Sequence, residues 1–137
     1  MTPDLQMSVL CDDVRQERGG KFILIGLFDV IGMTTFPGVF GRLCIVNRWC
    51  CGQGAFVERT RILAPDNGPV VAQGRDIPVQ LANAEATATN VEFFLNVRFE
   101  REGVYWVEIL LDGHMKLRYP LRVSRVTPPP SAGPLPA

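Results

Sequence analysis

The chain has 137 residues, 47% of them hydrophobic, with 14 lysines and arginines against 14 aspartates and glutamates. That length suits one domain whose core needs neither a metal nor several disulfides. Balanced charge supplies no global field for nucleic acid or an anionic membrane and permits self-association, and no apolar run approaches the ~18 residues that span a bilayer.

In chain order, Gln6 to Cys11 reads as a short strand, and Asp12 to Gly20 as a turn whose aspartates accept backbone N–H bonds and whose Arg15 bridges a carboxylate. Lys21 to Val30 is strongly apolar without clean alternation, which predicts a central strand covered on both sides. Gly32 to Gly41 reads as a long crossover loop around Pro37-Gly38. Strands are predicted at Leu43 to Trp49 and Ala55 to Leu63, then the turn Pro65-Asp66-Asn67-Gly68, then strands at Val70 to Gln73 and Ile77 to Leu81. Ala82 to Ala88 reads as a brief helical turn.

From Thr89 to Val123 the pattern predicts three strands. Val91, Phe93, Leu95, Val97 and Phe99 alternate with Glu92, Phe94, Asn96, Arg98 and Glu100, so the first set is expected on the buried face. Arg101-Glu102-Gly103 reads as a three-residue hairpin loop, pairing Phe99 with Tyr105, Val97 with Val107 and Leu95 with Ile109. At the next turn a three-residue loop, Asp112-Gly113-His114, keeps the faces unmixed. It pairs Leu111 with Met115, Ile109 with Leu117, Val107 with Tyr119 and Tyr105 with Leu121, and it sets Glu108 against Arg118.

Short strands punctuated by Gly and Pro, with no long amphipathic helical period, predict an all-β antiparallel sandwich of about eight strands, with a partly closed barrel as the alternative. The domain is expected over residues 1–127. Pro128 to Ala137, PPPSAGPLPA, has too few backbone donors to join a ladder and reads as an extended tail. The N-terminus lacks a basic segment followed by an apolar stretch, which makes the cytoplasm the expected location.

The strings Leu10-Cys11-Asp12-Asp13-Val14-Arg15-Gln16-Glu17, Gly20-Lys21 and Leu24-Ile25-Gly26-Leu27-Phe28-Asp29 resemble a family of short bacterial proteins of unknown function. The similarity continues through Phe36-Pro37, the Pro65 to Gly68 turn and the stretch from Gly103 to Gly113. The resemblance implies a bacterial origin and a sandwich-like fold, and it brings no catalytic residue or cofactor.

In the register above, Phe94 lies opposite Leu110 and Arg98 opposite Trp106 on the outer face. Phe94, Arg98, Trp106 and Leu110 therefore form the candidate interaction surface of a non-enzymatic, partner-binding or self-assembling component. A calcium or ligand module is the alternative, if Asp12, Asp13, Asp29, Asp66 and Asp112 converge. A small hydrolase ranks lower: Cys11, Cys44 or Cys50 with His114, or Asp66 or Glu58 with His114, would have to pair without any motif to support them. The spacing of Cys11, Cys44, Cys50 and Cys51 does not predict a zinc site, and no cofactor is implied. Lys116, Arg118, Arg122 and Arg125 read as a charged, protected edge rather than a nucleic-acid stripe, because Pro120 interrupts them and Glu108 neutralises Arg118.

Overall fold

The computed structural model describes residues 1–128. It is an all-β sandwich of ten strands: β1 (Asp4–Gln16), β2 (Phe22–Phe28), β3 (Val30–Met33), β4 (Gly38–Cys50), β5 (Gly54–Leu63), β6 (Val70–Gln73), β7 (Ile77–Leu81), β8 (Ala88–Phe99), β9 (Gly103–Leu111) and β10 (His114–Arg125). One sheet has the order β2-β1-β4-β8, the other β3-β10-β9-β5-β6 with β7 also on β5. One of the two sheets curls into a half-barrel, so the two expected architectures are partly combined. The tail expected at Pro128 to Ala137 lies, from residue 129 on, outside the described residues.

The core forms where inward positions of the two sheets meet: Leu43, Ile45 and Trp49 of β4 and Phe94, Val97 and Phe99 of β8 against Ile62, Tyr105, Val107, Ile109, Leu121 and Val123. Burial of such side chains at about 25 cal/mol per Å² drives this closure. No helix among the described residues is long and apolar enough to cross a membrane.

Several expectations change. Residues 101–103 do not close a hairpin: β8 pairs with β4, whereas β9 pairs with β5 and β10, so the chain arches from one sheet to the other. Phe99 and Tyr105 still meet, edge to face with centroids 4.9 Å apart, but across the core from opposite sheets. The Tyr105 hydroxyl donates to the Arg101 carbonyl at 2.7 Å, the corner bond that pins such an arch. Index sums describe a hairpin and an arch equally well, and only the partner strands tell them apart.

The faces of β8 also change. Glu92 and Phe94 point inward while Phe93 and Leu95 are exposed, and the parity resets at Asn96, whose φ of 53° breaks the alternation so that Val97 and Phe99 return to the core. At the β9–β10 turn the loop has two residues, Asp112 and Gly113, both with positive φ (48° and 80°), as a type I′ turn requires. A bulge at Lys116 then supplies the extra residue, and beyond it the register is the expected one, with Ile109 on Leu117, Val107 on Tyr119 and Tyr105 on Leu121. Near the N-terminus, β1 runs on to Gln16, and β2 is an edge strand with exposed side chains rather than a doubly covered centre. The expected crossover loop from Gly32 to Gly41 instead carries the end of β3 and the start of β4, and residues 82–87 form bends and a turn without a helix before β8 opens at Ala88.

Candidate functional site

The four residues of the expected surface are not brought together. Phe94 is 6% exposed in the core, Arg98 sits on the other sheet from Trp106 and bonds Glu100 at 2.6 Å, and Leu110 is buried. Trp106 does carry a cation–π contact, but from Arg118, whose guanidinium carbon lies 4.1 Å from the ring centre. Arg118 also reaches Glu108 at 3.4 Å, and Arg61 holds the same carboxylate at 2.7 Å from β5. The expected Glu108–Arg118 pair is therefore one half of a three-strand charge bridge, in which a single carboxylate is shared by two guanidiniums.

The exposed apolar face lies on the other sheet. Cross-strand register places Leu27, Cys11, Cys44 and Phe93 in one row across all four strands, and Val9, Val46 and Val91 in the row beside it. Paired residues project to the same side, so the rows form a continuous apolar strip. Its middle is packed: Cys11, Cys44 and Val46 are buried by their neighbours and form a small cluster separate from the main core. Its flanks are open, with Leu27 62%, Phe93 42% and Leu95 65% exposed. Arg42 stacks over Phe93 at 4.4 Å and donates to Asp13, which Arg15 also holds at 2.9 Å. These arginines hold the Asp13 carboxyl below the usual carboxylate range, with Arg15 and the Val14 amide the main partners. The turn chemistry expected of Asp13 and Arg15 is thus present, at the margin of the strip.

Sequence reasoning missed a polar cluster between the sheets. Asn47 and Trp49 of β4, Glu58 and Thr60 of β5, and Asn90 and Glu92 of β8 occupy inward positions on three strands. Glu58, 1% exposed, accepts the Trp49 indole N–H at 2.7 Å and the Asn90 amide at 3.3 Å, while Asn47 donates to Thr60 at 3.0 Å. Burial pushes the Glu58 carboxyl up, against those hydrogen bonds, and the nearby Glu92 adds to the rise. Glu92 is pushed up by its own burial and accepts the Arg75 amide at 2.7 Å. Its Oε1 and the Asn47 Oδ1 have no partner among the described residues. Period-two parity was the one available signal: β5 and β8 each carry two polar residues two positions apart and β4 carries Asn47 two positions before Trp49, but their burial depends on long-range pairing.

The other candidate groups stand apart. Asp112 accepts the Val57 amide at 2.8 Å, Asp66 meets Arg101 at 3.3 Å, and Asp12 lies over Gly26. Among the described residues no three Cys, His, Asp or Glu side chains converge as metal ligands. Cys44 is pushed up to about 12 by burial and Cys11 is raised for the same reason, with the two thiols hydrogen-bonded to each other. Cys50, beside Cys51, is raised by the hydrogen bond between them. All four cysteines are free. His114 opens β10 at the exposed hairpin tip, in the sheet opposite Cys11 and Cys44.

No curated protein matches this chain. Among solved structures, it is similar to the Pseudomonas fluorescens alkylpurine DNA glycosylase AlkC bound to DNA containing an abasic site analog, at 11% identity and a TM-score of 0.48. The match covers 70% of this chain and 28% of that one, so the chain spans little more than a quarter of that protein. The profile of a family of unknown function, DUF6941, matches residues 6–124, nearly the whole sandwich, and the chain belongs to that family.

Proposed function

We propose that the protein is a non-enzymatic, self-associating binding module whose contact surface is the outer face of the four-stranded sheet. The observation that carries this reading is the strip through Leu27, Cys11, Cys44 and Phe93, with Leu27 and Leu95 more than three-fifths exposed. Monomeric proteins rarely leave contiguous apolar patches larger than a few hundred Å² uncovered. The strip's margin carries both signs, Asp13 beside Arg15 and Arg42, so it presents no block of like charge to a second copy. Zero formal net charge adds no repulsion between copies.

The non-enzymatic part of the reading is supported by the state of the thiols: burial raises Cys11 and Cys44, the opposite of what a nucleophile needs. A cytoplasmic setting belongs to the same proposal and is supported by four free cysteines, which suit a reducing compartment. The test is sedimentation of Leu27→Lys and Leu95→Lys variants beside the unaltered chain. Both positions are exposed, so folding should hold while dimer dissociation rises at least tenfold. An unchanged sedimentation coefficient across all three proteins would remove the face from consideration.

A further inference from the structure

We propose a second binding site, independent of that face: the free edge of β10 over His114–Tyr119 accepts an extended segment of a partner protein as an added strand, its residues alternating between apolar and acidic. The edge is free because of how β2 and β3 are laid down. The chain leaves the four-stranded sheet at Phe28, crosses at Asp29, whose carbonyl accepts the Arg122 amide at 3.2 Å, and joins the six-stranded sheet as β3. As a result β3 flanks β10 only at Arg122–Arg125, in parallel register from Val30 on Arg122 to Met33 on Arg125. Likewise β2 flanks β1 only from Leu10 to Gln16. Each sheet therefore loses its outer strand partway along, and both half-edges end at one place, where the Ser8 and Tyr119 hydroxyls meet at 2.9 Å.

Among the described residues no turn or loop backbone hydrogen bond reaches β10 between His114 and Leu121. An edge strand presents outward N–H and C=O groups, and the group that satisfies such a row in register is another extended backbone. β3 already shows an added strand in the collinear position. A cavity of about 380 Å³ opens at the end of this edge, lined by Ser8, Leu10, Phe28 and Tyr119 among others, and takes an apolar side chain of the guest. Met115 and Leu117 are exposed apolar side chains on the edge itself. Lys116, at the bulge between them, favours a carboxylate on the guest. Pro120 has no N–H, so the added ladder stops at Tyr119, six residues or about 20 Å from the hairpin.

The experiment pans a random twelve-residue phage-displayed library against the full chain, then measures amide exchange by mass spectrometry with the enriched peptides. The expected result is enrichment of alternating apolar and acidic sequences that slow exchange over residues 114–119. Methylating alternate backbone nitrogens of the peptide, or introducing Lys116→Glu, should weaken binding at least tenfold. No enrichment, protection elsewhere, or undiminished binding of the methylated peptide would overturn the proposal. Protection of residues 114–119 by raised protein concentration alone would assign the edge to a second copy, and would overturn it as well.

Discussion

At the residue scale the most consequential side chain is Glu58. It sits among Trp49, Asn47 and Asn90 with Glu92 near by, and its carboxyl is raised chiefly by burial. A carboxyl whose folded pKa lies above its unfolded value, about 4.3, binds its proton more tightly in the folded state. The stability this contributes is full below the unfolded value and is lost as pH rises through the raised one. Glu92 is raised in the same direction. Glu58→Gln, which keeps an acceptor for the Trp49 indole, should therefore flatten the decline of the melting temperature between mildly acidic and neutral pH. Glu58→Ala should cost about 2–4 kcal/mol, because it strands the indole N–H and opens a void. Thermal unfolding followed across pH for both variants checks this, and a steeper pH slope in the Gln variant would contradict it. Phe94, placed by alternation on the outer surface, is a core residue instead. Phe94→Ala should accordingly lower stability by about 3–5 kcal/mol in urea unfolding and leave association of the folded fraction unchanged.

At the scale of elements the arch between β8 and β9 organises the sandwich. It moves the chain from one sheet to the other, and the Tyr105 hydroxyl holds its corner against the Arg101 carbonyl. Tyr105→Phe removes only that bond and should cost about 1–2 kcal/mol in denaturant unfolding. A neutral result would mean that packing against Phe99 alone fixes the corner. The same arch explains what the sequence could and could not convey. Local patterns located most strands, the Asp112-Gly113 turn and the β9–β10 register beyond Lys116, because period two and turn chemistry act within a few residues. The partner of β8 was not legible, since β4 lies some 50 residues away and competes on long-range burial. Nor was the parity reset at Asn96, where a single positive φ turns Phe93 and Leu95 outward and Phe94 inward.

At the scale of the whole molecule, the two outer faces differ in how they are finished. On the six-stranded sheet, Glu108 is bridged by Arg61 and Arg118, and Arg118 covers Trp106, so the aromatic first read as a contact residue is already occupied within the chain. On the four-stranded sheet the buried Cys11, Cys44 and Val46 form a firm floor, with Leu27, Phe93 and Leu95 standing open around it. A rigid floor with exposed apolar flanks loses little side-chain freedom on contact, which favours association. The candidate surface could not be read from the sequence, because its members come from four strands whose order was not known, and Leu27 was expected to be covered. The measurement that tests this most directly is the mass of the unaltered full chain by light scattering over a hundredfold range of concentration. Self-association through this face predicts a rise from 15.2 kDa toward twice that value. A mass that stays at 15.2 kDa throughout would contradict it.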